Sequence, residues 1–302
     1  MTAAVVAALA AILAFTAVAP RLGHRLPPSV AASVLTVGSV LVAGSTGVVL
    51  AVLALTWLGQ APPVAQLAEW SPYALAAANP VPNFVAAGGL ALLAAAGLRV
   101  TIRALRRGRA VMDVRRCHRG TSATVLVVDS LRPDAFATPG PGGRIVVTSA
   151  LLAALTPAEQ RAVIAHERAH LRRGHAWLLL LADLAEATNP LLRHTFRAVQ
   201  HAVERWADED AARHTGDREL VARTIARVAL LRHDTAARPM TPAATGGQVP
   251  RRVRALLSPR PRLRPWLAGT LLALLTFSAV ATVAVERTGD ALFDRVATVQ
   301  DR

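Results

Sequence analysis

The 302-residue chain has no lysine and one cysteine, Cys117. A single thiol excludes an internal disulfide framework and a cysteine-based zinc site. Charged residues make up only 18% and aromatic residues 4%, against 53% hydrophobic residues. That balance is too apolar for an ordinary soluble domain and points to the bilayer. Acidic residues are the scarcer sign, which leaves a formal net charge of +15 carried by arginine. A basic excess suits nucleic acid or the cytoplasmic rim of a membrane protein. Distribution decides between them.

Apolar runs cover residues 2–19, 30–58, 83–102 and 265–285. Each is long enough to cross a hydrocarbon core. The first resembles a signal peptide in position, but no basic segment precedes it and a second long run follows at once, so it reads as a retained span. Arg21 and Arg25 follow span one, residues 59–82 contain no arginine, and span three exits into Arg103, Arg106, Arg107, Arg109, Arg115, Arg116 and Arg119. The positive-inside rule then places residues 103–264 in the cytoplasm. The expected protein is a multi-pass protein of the cell membrane. Its N-terminal membrane region (1–102) has three spans. A cytoplasmic insert (103–264) comes next, then a last span with a short external tail (265–302). The arginines need no nucleic-acid partner; the partner they imply is the lipid bilayer. Gly88-Gly89 and Gly97 suit close helix packing, and Trp177 and Trp266 suit a membrane interface.

Within the insert, Thr124–Val128 and Arg144–Thr148 carry β signals, separated by the turn cluster at 139–143. Thr156-Pro-Ala-Glu159 predicts a capped helix running to about Gly174. A partly apolar helix at 176–187, buried or interfacial, leads to the Asn189-Pro190 break and a helix over 191–213. Residues 235–264, rich in Pro, Gly and Arg, read as a linker. Cys117 beside His118 reads as an inert thiol.

His166-Glu167-Arg168-Ala169-His170 is an HExxH pattern on the predicted helix. Four residues turn a helix by about 400° and advance it about 6 Å, so both imidazoles project from nearly one face. Such a pair can share one zinc ion, Zn2+, and Glu167 beside it can take a proton from the attacking water. A third protein ligand is then expected. The favoured candidate is Glu204 in Glu204-Arg-Trp-Ala-Asp208, with Asp208 one turn on, able to hold the second nitrogen of a ligating histidine. His201 is a rival. So is His175, although one continuous helix would turn it away from the metal.

HExxH followed by Glu-x-x-Ala-Asp resembles the gluzincin membrane peptidases of the HtpX and CAAX-prenyl-protease type. The spacing, the Asn189-Pro190 break and the layout of spans are similar to the BlaR/MecR-like membrane zinc metallopeptidases. The resemblance implies a mainly α membrane protein with about four transmembrane helices and a cytoplasmic α+β zincin-like domain between spans three and four. It implies His166, His170 and Glu204 as metal ligands, Glu167 as catalytic base, and Asp208 behind a ligand. Gly143–Leu152 would be the edge strand and turn that line the cleft. One departure stands out: about 17 residues follow the last span, where BlaR/MecR sensors carry a large external domain.

The expected activity is a zinc-dependent endopeptidase reaction on protein or peptide substrates. The runner-up is a signal-transducing protein that cleaves itself or a repressor-type regulatory partner upon a trigger. The substrate is expected to lie extended along 144–148, so proline at Val146 should weaken its binding. His201, Arg205, His214 and His233 are unranked candidates for stabilising the oxyanion.

Overall fold

In lipid, backbone polar groups must be satisfied within the chain, so long apolar runs fold as helices or closed barrels. The computed structural model describes residues 1–67, 71–78, 81–117, 124–138, 142–234 and 248–300. Its first five helices are α1 (Thr2–Gly23), α2 (Pro28–Leu58), the short α3 (Pro62–Leu67) and α4 (Pro72–Ala78), and α5 (Asn83–Cys117). The last helix, α12 (Pro265–Gln300), closes the chain. Four segments are long and apolar enough to cross a membrane: Thr2–Gly23, Pro28–Leu58, Asn83–Asp113 and Pro265–Val296. The chain thus has the make-up of a multi-pass membrane protein.

Close packing in this bundle rests on Gly23, Gly38 and Gly89; a Cβ on Gly23 would stand 2.6 Å from Leu35. A Cβ on Gly38 would stand 2.5 Å from Phe15, and one on Gly89 2.7 Å from Leu53. Gly88 and Gly97, by contrast, face open space. Ser45 and Ser278 meet at 3.3 Å between α2 and α12.

The middle of the chain holds a small sheet of β1 (Val125–Val128), β2 (Ala135–Ala137) and β3 (Ile145–Thr148). Its order is β1-β3-β2, with β1 parallel and β2 antiparallel to β3. The expectation of an edge strand at Gly143–Leu152 is corrected here. β3 is the central strand, all four of its residues are buried, and both of its edges are taken. The edges belong to β1 and to β2, the latter too short and too alanine-rich to carry a strand signal. Ser149–Ala154 forms a helix, α6, instead of a turn. Of the turn cluster at 139–143, residues 139–141 lie outside the described residues, as do His118 and the side chain of Cys117.

α7 (Pro157–Arg172) begins as its sequence dictates. Thr156 N–H donates to Glu159 Oε2 at 2.8 Å, completing a capping box with Pro157 in the first turn. It ends sooner than Gly174, because Gly174 takes a left-handed φ of 63° and starts α8 (His175–Thr188) in a new direction. Asn189 and a 3-10 turn at Pro190–Leu192 then reverse the chain into α9 (Arg193–Thr215). Two further helices, α10 (Arg218–Asp234) and α11 (Gln248–Leu257), complete this region. α11 lies within the stretch expected to be a linker, of which 235–247 fall outside the described residues.

The α8–α9 hairpin does not stand apart from the bundle. Ala182, Ala185, Val199 and Val203 share one buried core with Phe15, Leu35, Val42 and Leu271 of the apolar helices. At the hairpin tip, Asn189 Nδ2 donates to Thr46 Oγ1 of α2 at 3.0 Å. Asp183 of α8 is buried and accepts from Arg103 Nη1 at 2.8 Å and Arg107 Nε at 3.2 Å, both on α5; Arg103 also pairs with Glu186.

Candidate metal centre

Alanine sets the distance between the two helices that build the site. Ala162 and Ala165 of α7 pack against Ala211 and Ala212 of α9 in one buried cluster. So close an approach lets a glutamate on α9 reach the imidazoles of α7. Nitrogen and oxygen atoms of His166, His170 and Glu204 all fall within 4.8 Å of one another, a group that could hold a metal ion. The two Nε2 atoms face each other at 3.2 Å, and Glu204 lies 3.7 Å from each of them. Two nitrogens bound at ~2.0–2.1 Å to a tetrahedral zinc stand roughly 3.3–3.4 Å apart. The imidazoles therefore fit that ion as they stand, and Glu204 needs to close by a few tenths of an ångström.

Behind the three, Asp208 is 1% exposed. Its Oδ1 lies 3.0 Å from His166 Nδ1, within ion-pair distance although not aligned as a hydrogen bond. Arg252 of α11 grips Asp208 with two donors, at 2.6 and 2.8 Å, and reaches Glu204 Oε2 at 2.9 Å. Arg252 was not legible as a functional residue, because the sequence around it reads as a linker. Val249, Val253 and Leu256, at helical spacing, are the signal that marks α11 as an amphipathic helix.

The charges are mutually arranged. Burial opposes charge on His166, but its contacts with Asp208 and Glu204 outweigh burial and raise its pKa. Burial and the neighbouring His166 together lower that of His170. Glu204 is held below the usual carboxylate range, since His166 and Arg252 overcome its burial. Glu167 moves the other way: burial raises its pKa, against His166, Arg232 and the backbone N–H of Ala137.

The three residues open onto a cavity of about 990 Å³ that Glu167 also lines. One wall consists of Ala135, Phe136 and Ala137 of β2. Another consists of Ala104, Gly108 and Met112 of α5 facing Trp177, Leu180 and Leu184 of α8. Arg232 and Arg252 are its cationic residues at this site, besides Arg107 on the α5 wall. His201, Arg205, His214 and His233, the oxyanion candidates, are not among the lining residues. His201 instead sits beside His24, ring centroids 5.8 Å apart, away from the metal group. His175 lies outside the metal group, although not because α7 continues past it. The break at Gly174 brings its Nδ1 to 3.1 Å from His170 Nδ1, on the side opposite the metal group.

HExxH on a capped helix, with a carboxylate from α9 and an acidic residue behind them, is an arrangement that could hold a metal ion. The family model of peptidase family M48 matches residues 106–188, which cover α7 and its HExxH but stop short of Glu204. The match supports a zinc metallopeptidase of M48 type at large, rather than the BlaR/MecR-like group in particular. No curated protein and no solved structure matches the chain.

Proposed function

We propose that this protein is a membrane-embedded zinc-dependent endopeptidase in which His166, His170 and Glu204 bind the metal and Glu167 is the general base. The observation that carries the reading is the 3.2 Å separation of the two Nε2 atoms, with Glu204 equidistant from both. Zinc, when bound, supplies a Lewis acid that polarises the scissile carbonyl and lowers the pKa of water. Glu167 takes a proton from the attacking water on its carboxylate and delivers it to the leaving amine. Asp208, 3.0 Å from His166 Nδ1, favours the proton on that nitrogen and so leaves Nε2 for the metal, while Arg252 holds Asp208 and Glu204 in place.

The peptide is expected on β2. In the β2–β3 pairing, Thr138 N–H donates to Arg144 O and Thr148 N–H to Asp134 O, so even-numbered residues of β2 bond inward. The backbone groups of Ala135 and Ala137 therefore point away from β3, where an extended substrate can pair with them once it displaces their present partners: Asp134 Oδ1 on Ala135 N–H, Arg232 on Ala135 C=O and Glu167 on Ala137 N–H. Proline at Val146 would break the buried central strand, so the informative substitution is Ala137→Pro. It removes an outward N–H that also bonds Glu167, so kcat should fall alongside a several-fold rise in KM; a fall in kcat with KM unchanged would remove β2 from substrate binding.

The layout favoured is a membrane region over 1–102, a cytoplasmic peptidase region over 103–264 and a last span over 265–302, in the cell membrane. The wall formed by α5 and α8 is apolar but for Arg107 and continuous with the third span. It suits a membrane-anchored polypeptide whose juxtamembrane stretch enters the cavity from the lipid side. The ion pairs from Arg103 and Arg107 to Asp183 favour a second reading. They tie the third span to a helix of the site, as a triggered peptidase acting on a repressor-type partner or on itself would require. Purified protein with zinc should cleave an unfolded protein or itself, and Glu167→Gln should not.

A further inference from the structure

We infer that His175 is a positioning residue for the metal centre: by accepting a hydrogen bond at Nδ1 it fixes His170 in the tautomer that leaves Nε2 free for the metal. The inference rests on the proposed zinc site but concerns a residue outside it. A neutral imidazole carries one N–H, and whichever nitrogen holds it cannot bind a metal. His170 Nε2 faces His166 and Glu204, so its proton must reside on Nδ1. At 3.1 Å from that atom stands His175 Nδ1, and among the described residues no other hydrogen-bond partner of His170 Nδ1 appears.

The surroundings make His175 single-purpose. It is fully buried, its ring lies 4.9 Å from the Trp206 ring, and its Nε2 is buried without a partner among the described residues. Nδ1 is thus the one atom with which it hydrogen-bonds, and His170 its one partner. A histidine kept only for packing would leave both nitrogens unsatisfied, a cost that an apolar residue avoids. The left-handed Gly174 makes the arrangement possible, because it returns the chain toward His170 instead of continuing α7. His166 is supported by a carboxylate, Asp208; His170 is supported by a neutral ring. The two halves of the HExxH pair are therefore held by different chemistry.

The test is zinc affinity, measured by chelator competition on the full chain in detergent for the parent, His175→Phe and His175→Asn. Phenylalanine fills the volume without an acceptor. Asparagine sets an amide oxygen near the place of Nδ1. Losing a supporting partner of a metal-bound histidine weakens binding about 10–100-fold. That loss is expected for phenylalanine, with most of it recovered by asparagine. Thermal unfolding of the metal-free proteins separates this from general damage, and should show the asparagine variant folded as the parent is. Parental affinity in the phenylalanine variant would overturn the inference, as would a folded asparagine variant that binds no better than phenylalanine. Failure of the parent itself to bind zinc would instead overturn the reading of the site.

Discussion

Asp208 and Arg252 show how much of the site depends on one buried pair. Asp208 is 1% exposed and the Arg252 side chain 14%, so each charge relies on the other for what water would have supplied. Removing the cation by Arg252→Met should cost up to about 3–5 kcal/mol in denaturant unfolding, because the buried Asp208 then keeps only His166 beside it. Adding Asp208→Asn to that variant should recover part of the loss; strict additivity of the two changes would show that they are not coupled. Asp208→Asn alone should weaken zinc binding by about 10–100-fold. Asp208 and Glu204 outweigh burial and raise the pKa of His166, so zinc uptake competes with a proton there. Affinity should therefore fall as the pH is lowered, and proton release should appear as a buffer-dependent heat of binding. A heat independent of buffer ionisation would contradict the proton on His166. At this scale HExxH, Glu204 and Asp208 were readable because each sits on a helix at a spacing that points to one face. Arg252 was not, since its partners are 44 and 48 residues away and only folding brings them together.

Helices proved more legible than strands. The capping box of α7 is written in four consecutive residues, and the helix starts where they place it. Glu159 of that box is buried; although burial opposes charge, Thr156 and Arg227 hold its pKa below the ordinary glutamate value. A depressed folded pKa means stability that is complete above the unfolded value of about 4.3 and is lost as pH falls through the folded one. Glu159→Gln should therefore lower the unfolding midpoint at pH 7, and the gap to the parent should narrow as the pH falls below about 4.3. A gap that does not narrow at all below that value would assign the effect to packing. The sheet was harder to read, because β2 spans three residues and its place at the edge depends on the pairing order. The end of α7 was legible to within two residues, at Gly174, whose left-handed φ separates α7 from α8.

The molecule as a whole has no clean border between bundle and peptidase region. One core joins α8 and α9 to the apolar helices, and the hairpin tip bonds to Thr46 about 27 Å along α2 from Pro28, at ~1.5 Å per residue. The composition gave the four spans directly, yet not this insertion, because a 14-residue apolar helix looks alike whether it packs on protein or on lipid. An architecture of this kind should favour substrates already in the membrane. The same peptide fused to a transmembrane anchor should be cut with about 10²-fold greater kcat/KM in proteoliposomes than the free peptide. Equal rates would separate the peptidase from its membrane setting. The central claim is the zinc-dependent peptidase itself, tested most directly by comparing the parent with Glu167→Gln, each with measured zinc content, on an unfolded protein substrate. Equal zinc in both, with cleavage by the parent and at least ~10²-fold less by the variant, is the predicted result. Cleavage by the variant at the parental rate would contradict it.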